Sequence, residues 1–327
     1  MNTTVLSLRK TMNIKPQKPY NFRFTILKPS HFPANDVIFD HDNLWKAMIF
    51  NEQLVGVQIK SIGKFENPQL CISIYSANEM EKSIIEKIVS EWRFRCGVDM
   101  NISEFINCFE QDTHLQSSIH AFRGMRPCTT ASLYEYIMIG ILLQNTNITR
   151  TISMMDGLLR AFGTRVRFAG KEVISFWTPE TMYNTTEEQL RKLKVGYRSK
   201  TIIRVSDYFY KNPETEQKMR NLTNDDLMKG LQKIYGVGPA TAGYISFDVF
   251  HRLNILNHIS PWERRIYAKI LFDEDDATQE QLIKYIEKRW GEWKMLAAHY
   301  LFEFWHMQQR TREQLLEKKS KVEKKDV

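Results

Sequence analysis

The spacing of apolar residues divides the chain into two stretches. Up to about residue 75 the pattern predicts strands separated by turn residues, in NFRFTIL, LVGVQIKSIG and PQLCISIY. The segment EMEKSIIEKIVSEWRF then has helical spacing, and from about Ser103 onward the period stays helical. We therefore predict an α+β chain that is mainly α. A small N-terminal antiparallel β-sheet domain would span 1–120, a helical core 121–311, and a charged tail that frays 312–327.

The helical part begins with a segment, Tyr134 to Leu143, that is apolar nearly all round and so predicts a buried core helix. It ends in the polar run Gln144-Asn145-Thr146-Asn147, and an amphipathic helix begins near Ile148. Uncharged polar residues at such a junction are typical of helix caps. From the pattern alone, capping and a functional role are equally good interpretations.

A glycine hairpin stands at the centre of the second stretch, within LQKIYGVGPATAGYISF. Gly236-Val237-Gly238 predicts a tight turn between two helices, and Pro239 suits the first position of the second helix. The unpaired amides at that helix start, including those of Ala240 and Thr241, would form an anion site. An ordinary turn remains the alternative interpretation.

A carboxylate follows at the start of the next predicted helix, in Ser260-Pro261-Trp262-Glu263. The helix dipole favours the ionised form of an acid at this position. Glu263 is therefore a candidate for chemistry that needs a fixed negative charge, although a simple helix-start carboxylate fits the same pattern.

Charge and cysteine content narrow the class of protein. The formal net charge is +8 and the sequence pI is about 9.1, a balance that suits a polyanionic partner. The four cysteines show no C-x-x-C spacing, so neither a disulfide framework nor a zinc site is predicted. No signal peptide opens the chain, and its longest apolar run, from Tyr136 to Leu143, is too short to span a bilayer. We expect an intracellular protein.

The hairpin followed by a helix-start acid resembles the helix-hairpin-helix (HhH-GPD) superfamily of DNA glycosylases, in particular the 8-oxoguanine and alkylpurine enzymes. The resemblance implies a base-excision-repair enzyme that flips a damaged base out of duplex DNA and hydrolyses its N-glycosidic bond. It also implies a monomer located with the DNA, in the nucleoid or nucleus, without a membrane partner. In the family the catalytic acid is the Asp of a Pro-x-Asp motif, and Glu263 at that position is a departure.

Two further turns carry the resemblance. The polar run after the core helix resembles the Asn-rich turn of 8-oxoguanine glycosylases, which implies that Asn145 enters the helix stack and Arg150 reads the orphaned base. The segment RKLKVGYRSKTI resembles the family's Leu-Gly-Tyr-Arg turn, which implies that Tyr197 wedges between bases and Arg198 bonds the orphaned base. An exposed loop pair is the alternative for the last two residues.

The residues at the family's base-pocket positions are Gln144, Tyr244, Trp262, Met295 and His299. The orphan-base residues suit a cytosine opposite 8-oxoguanine. A pocket built from Met, Tyr and Trp instead suits stacking on an electron-poor alkylated base. The sequence therefore leaves an oxidised or an alkylated purine open as the substrate.

Bifunctional relatives carry a lysine two residues after the last hairpin glycine, and here that residue is Ala240. The resemblance thus implies a monofunctional glycosylase that does not cleave the strand. Two alternatives stay open: a lesion-binding protein whose catalysis is impaired, and a glycosylase/lyase that uses another lysine. No cofactor is expected beyond a monovalent cation at the hairpin. An iron–sulfur cluster is excluded because no cysteine follows Cys128.

Overall fold

A computed structural model describes residues 3–31 and 34–323, with side chains to residue 312. Its strands are β1 (Thr4–Val5), β2 (Leu8–Ile14), β3 (Val37–Asp40), β4 (Asn43–Phe50), β5 (Gln53–Ser61), β6 (Leu70–Ser76), β7 (Thr164–Phe168) and β8 (Lys171–Ser175). Five of them form an antiparallel sheet in the order β2-β6-β5-β4-β3. This confirms the predicted N-terminal sheet.

The sheet owes its register to two-residue turns. His41-Asp42 joins β3 to β4 and Asn51-Glu52 joins β4 to β5, and all four residues have positive φ, as the hairpin turns that match strand twist require. Most positions of β4 and β5 are buried in succession, because both faces of the sheet are covered.

The helices before the hairpin are α1 (Phe22–Ile26), α2 (Lys82–Arg95), α3 (Ser103–Phe109), α4 (Gln116–Phe122), α5 (Leu133–Leu143), α6 (Ile148–Phe162), α7 (Pro179–Tyr183), α8 (Glu187–Lys192), α9 (Arg198–Lys211), α10 (Thr215–Arg220) and α11 (Asn224–Gln232). Those after it are α12 (Pro239–Asp248), α13 (Pro261–Phe272), α14 (Gln279–Trp290) and α15 (Lys294–Glu323), with a 3₁₀ turn at Gly291–Trp293. The expectation of a mainly helical chain is confirmed.

Two local predictions were wrong. NFRFTIL forms the short helix α1 rather than a strand: Asn21 caps it by accepting a hydrogen bond from the Phe24 amide (3.2 Å), and Phe22, Thr25 and Ile26 share its buried face. The helical stretch is also interrupted by the hairpin of β7 and β8. The turn at Ala169-Gly170 has positive φ at both positions, and β1 pairs with β7 in parallel to complete a second, three-stranded sheet.

This second sheet covers one face of the first. Val166, Phe168 and Val173 pack with Trp45 and Tyr75. A Cβ added at Gly56 would come within 2.6 Å of the ring carbons of Phe168. Gly56 is therefore needed for the close approach of the two sheets. The other face packs on α1 and α2 around Trp92.

The helices divide into two apolar cores, and the hairpin residue Val237 belongs to the first of them. One core joins α5, α6, α9, α11 and the first part of α12. The other joins α3 and α4 to α13, α14 and α15, around Phe105, Phe122, Tyr300 and Trp290. Residues 102–125 thus pack with the C-terminal helices, although the predicted boundary between the N-terminal domain and the helical core is near residue 120. The domain limits stay a prediction.

None of the described helices is long and apolar enough to cross a membrane. The predicted charged tail begins within α15, whose backbone is helical to Glu323, and its last residues lie outside the described part.

Candidate nucleic-acid interface and active site

The glycine hairpin connects α11 to α12 and presents unpaired backbone amides. Gly236 has φ +84°, and a Cβ there would approach Thr201 Cγ2 to 2.8 Å, so glycine is needed both for conformation and for space. Gly238 is the N-cap of α12 and lacks a side-chain cap. The amides of Ala240 and Thr241 find no acceptor among the described residues. The start of α12 is therefore suited to an anion.

Val237 has a different part in the hairpin from its glycine neighbours. Its side chain is buried in the core of α5 and α12, and only its backbone belongs to the exposed turn. The Val237 amide already donates to the carbonyl of Ile234 (3.1 Å), so the predicted contact of Val237 with an anion is not supported, and the residue anchors the turn instead.

The polar turn after α5 lies beside the hairpin. Gln144 Nε2 donates to the carbonyl of Gly236 (3.1 Å), which ties the two segments together. Asn147 caps α6 by accepting from the Arg150 amide (2.8 Å), and Asn145 lies exposed at φ +49°. Asn147 is thus the capping residue of this turn, whereas Asn145 caps no helix.

Tyr197 extends this surface. Its side chain is 55% exposed, and its hydroxyl accepts a hydrogen bond from Asn145 Nδ2 (3.3 Å). The ring lies on the Arg198 guanidinium, with the carbon centre 4.8 Å from the ring centroid. Tyr197 and Asn145 are therefore brought together at the surface, on a rigid base, as intercalating side chains would need to be.

Arg198 is placed differently from the prediction. It is only 3% exposed, its Nε donates to the carbonyl of Ile141 (3.2 Å), and its Nη2 donates to the carbonyl of Gln144. Both carbonyls lie at the end of α5, where the Ile141 carbonyl also accepts from the Gln144 amide (3.3 Å). The predicted reading of an orphaned base by Arg198 is not supported, because its guanidinium is buried and holds the polar turn. Arg150 lies exposed on the first turn of α6, so its predicted role stays open.

A cavity lies beside the start of α12. Its empty space is about 330 Å³, including the part open to solvent. The residues that line it come from α12, α13, α15 and the loop before α13: Ala240, Gly243, Tyr244, Ile255, Leu256, Asn257, His258, Ile259, Glu263, Tyr267 and Met295. The structure thus brings together the predicted acid, two predicted pocket residues and the residue at the lyase-lysine position.

Glu263 lies at the third helical position of α13, in a capping box with Ser260. Its side chain is buried, and its Oε2 accepts from the Ser260 amide (3.0 Å), from Ser260 Oγ (2.5 Å) and from the Tyr244 hydroxyl. The Ser-Pro-Trp-Glu sequence carries this capping-box signature, which sequence reasoning missed. Ser260, Tyr267 and His258 are also at the site, although the sequence analysis assigned them no role there.

Tyr244 stays protonated as the donor in this arrangement. Burial raises the pKa of its hydroxyl well above the usual value, and the neighbouring Glu263 carboxylate raises the pKa further. Burial and the same carboxylate also raise the pKa of Tyr267. Glu263 is therefore surrounded by neutral phenols.

Three residues predicted for the base pocket do not line this cavity. Gln144 is held by the hairpin, and Trp262 is 52% exposed and packs edge-on against Phe302, with ring centroids 5.5 Å apart. His299 is buried against Phe247, at 4.7 Å, one turn beyond Met295 on α15. Burial, followed by the charge of Lys28, holds the pKa of His299 well below its usual range, so its imidazole is neutral.

The residues that build this geometry also match a known protein family. Residues 138–292, which contain the hairpin, the cavity-lining acid and the polar turn, match the model of the HhH-GPD superfamily base excision DNA repair proteins. This match confirms the predicted resemblance to the HhH-GPD superfamily over residues 138–292. Within residues 3–31 and 34–323, no group of three or more His, Cys, Asp and Glu side chains forms a metal site.

Individual relatives agree with this resemblance. The DNA-3-methyladenine glycosylase of Bacillus subtilis is 24% identical over 275 residues, which cover 82% of this chain and 88% of that protein. The 3-methyladenine DNA glycosylase of Archaeoglobus fulgidus shares the fold, with a TM-score of 0.74 at 16% identity over 89% of this chain and 97% of that one.

The Clostridium acetobutylicum 8-oxoguanine glycosylase/lyase, in complex with double-stranded DNA containing cytosine opposite 8-oxoG, has a TM-score of 0.67 at 17% identity, covering 91% of this chain and 97% of that one. The HhH-GPD core thus follows an N-terminal sheet in this chain as predicted, and the prediction of a DNA N-glycosylase is confirmed at the level of the enzyme class.

Proposed function

We propose that this glycosylase flips a damaged purine out of duplex DNA and hydrolyses its N-glycosidic bond without cutting the strand. The observation that carries the proposal is a buried carboxylate, Glu263, in a cavity that begins at the first turn of the hairpin helix α12. A DNA strand held by the hairpin amides would pass next to the acid that acts on its sugar.

The surface around the cavity supports base flipping. The Ala240 and Thr241 amides are free to bind an anion such as a backbone phosphate, and contacts of this kind would position the duplex without reading its sequence. Asn145 and Tyr197 are joined and exposed beside the hairpin, so they would fill the space that the extruded nucleotide leaves. Filling that space offsets the few kcal/mol, roughly, that unstacking costs.

Glu263 would act as an anion during bond breaking. Departure of the base leaves an oxocarbenium-like sugar, and a fixed carboxylate stabilises such a cation and can orient the attacking water. Its Oε2 is occupied by three donors, whereas Oε1 has no hydrogen-bond donor among the described residues. Oε1 is the atom that we expect to face the sugar.

The residues at the cavity favour a monofunctional enzyme. Ala240 offers no amine, and none of the residues that line the cavity is a lysine. The buried Lys28 does not serve instead: although burial lowers its pKa, the Asp248 carboxylate, 2.7 Å away, raises it more, so the amine stays protonated and non-nucleophilic. The proposed hydrolysis uses no cofactor, and a monovalent cation at the hairpin carbonyls remains a separate proposal.

The substrate is proposed to be an oxidised or an alkylated purine. The cavity presents Met295 and the phenols of Tyr244 and Tyr267, which suit stacking on an electron-poor ring. Single-turnover assays on duplexes that each carry one defined lesion, with each of the four bases opposite, separate the two substrate groups.

The test of the function is Glu263→Gln. This change keeps the shape of the side chain and removes its charge, so base release should fall about 100-fold or more while lesion binding is retained. Base release at the wild-type rate by the folded variant would contradict the proposal. Borohydride should trap no covalent complex of the wild-type protein with abasic DNA, and a trapped species would instead reveal a lyase lysine.

A second candidate function is lesion binding without efficient catalysis. The capping box favours it, because the Glu263 carboxylate serves the start of α13 like a structural acid. In that case the wild-type protein binds lesion duplexes tightly but releases no base under single-turnover conditions. We favour the enzyme because the same carboxylate lines the cavity.

A further inference from the structure

Three hydrogen-bond donors converge on a single oxygen of Glu263. Two belong to Ser260, and the third is the hydroxyl of Tyr244, which comes from the other side of the cavity on α12. Ser260 is a neighbour on the same helix, so it would hold the acid in any helix of this sequence. Tyr244 is not, and its contact exists only because α12 and α13 both face this cavity.

This contact decides which way the carboxylate faces. A helix-start glutamate that only completes a capping box has its carboxylate directed at the N-cap residue. The Tyr244 hydroxyl adds a donor on the cavity side and fixes the rotation of the carboxylate, while Oε1 stays without a donor among the described residues. A fully buried oxygen without a donor would be an unsatisfied buried atom, and Oε1 is not one of these among the described residues. Solvent therefore reaches Oε1.

We propose that Tyr244 is a positioning residue, which locks Oε2 of Glu263 and thereby presents Oε1 to the sugar of the flipped nucleotide. The proposal rests on the proposed function of Glu263. Tyr244 would then contribute to the chemical step, in addition to lining the cavity with its ring. The protonated state of the phenol, maintained by burial and by the Glu263 charge, keeps it a donor.

The groups that can titrate near this pair are few. Tyr267 lies on α13 and His258 in the loop before it, and both line the cavity. On α12, the charge of Asp248 also raises the pKa of Tyr244, and Asp248 is itself paired with Lys28. On α15, Glu303 influences Tyr267 and bonds to Ser30. None of these side chains donates a hydrogen bond to Glu263.

The experiment compares Tyr244→Phe with the matched variant Tyr134→Phe. Tyr134 is a buried phenol on α5 that bonds to Ser206 (2.8 Å) and does not line the cavity. With a lesion duplex in single turnover, Tyr244→Phe should release base at least about 10-fold more slowly, and Tyr134→Phe at the wild-type rate. Lesion binding should be equal in all three proteins.

The comparison of rate with binding separates positioning from simple packing. Loss of a donor that only orients the acid should slow base release and leave the Kd for the lesion duplex unchanged, whereas loosened packing of the cavity should weaken both. Should that variant not fold, fluorotyrosine placed at 244 keeps the shape and strengthens the donor. Base release should then proceed at the wild-type rate or faster, and a slower rate would overturn the positioning role.

The outcomes are distinguishable from failure of the proposed function. If Glu263→Gln keeps the wild-type rate, Glu263 is not catalytic and both proposals fall. If Glu263→Gln is inactive while Tyr244→Phe keeps the wild-type rate of base release, only the positioning role of Tyr244 is overturned.

Discussion

Arg198 offers a sharp test of how the surface near the hairpin is built. Its guanidinium is 3% exposed and donates to the carbonyls of Ile141 and Gln144 at the end of α5. The change Arg198→Met keeps much of the buried stem and removes both donors. The polar turn that carries Asn145 then loses its support from α9.

The expected cost follows from these contacts. A hydrogen bond from a charged donor contributes about 1.5–3 kcal/mol, and a buried carbonyl left unpaired costs a similar amount. Two such hydrogen bonds are lost, while the Ile141 carbonyl keeps the Gln144 amide as a donor (3.3 Å) and water can partly relieve the Gln144 carbonyl. We therefore expect a loss of about 3–5 kcal/mol in the free energy of unfolding. Because domains of this kind are stable by roughly 5–15 kcal/mol, the variant should still fold at low temperature.

Urea unfolding of Arg198→Met and of Arg150→Met measures this difference. Arg150 is exposed and its side chain bonds to no described residue, so its variant should change stability by less than about 0.5 kcal/mol. Base release should then be compared with each of the four bases opposite one lesion. The preference should survive in folded Arg198→Met, although the rate falls, and should weaken in Arg150→Met.

The opposite pattern would refute the reasoning. If Arg198→Met is as stable as the wild type and loses its preference for the opposite base, the guanidinium leaves the protein to read DNA. The burial seen here would then describe only the free protein.

Two further predictions concern the ion pairs and the hairpin. Burial raises the pKa of the Glu91 carboxyl, but Arg95 and Arg220 outweigh this effect and lower the pKa from 4.5 to about 2. The ionised carboxylate therefore contributes about 3 kcal/mol to the free energy of unfolding above pH 4.5, and this contribution disappears as the pH falls toward 2. Urea titrations of Glu91→Gln and wild type should therefore differ at pH 7 and converge near pH 2, and a gap that is independent of pH would contradict the linkage. Gly238 has φ −87° and open space at its Cβ position, so Gly238→Asp should fold normally yet bind undamaged and lesion duplexes about 10-fold or more weakly in gel-shift titrations. Gly238→Ala is the control that keeps near-normal binding, and equal binding by the Asp variant would mean that no phosphate lies at the hairpin.

Local pattern was sufficient for the elements that carry the site. The apolar helix ending before Gln144, the hairpin at Gly236, and the helices starting at Pro239 and Pro261 all lie where the sequence predicts them. Each depends on residues within a few positions of one another: a helical apolar period, a glycine that permits positive φ, and a proline whose missing amide costs nothing at a helix start. The capping box of Ser260 and Glu263 is equally local, and only its interpretation was incomplete.

Tertiary structure decided what the side chains do. Arg198 has the pattern of an exposed loop residue, but it is buried because α9 packs against the end of α5. β1 reaches β7 across most of the N-terminal half, a parallel pairing that short-range periodicity cannot signal. Tyr244 and Glu263 meet only because α12 and α13 converge at one cavity. The sequence by itself therefore determined the helices and the hairpin, through short-range sterics and hydrogen bonding. Long-range packing decided which polar groups lie at the surface beside the hairpin and which hold the protein together.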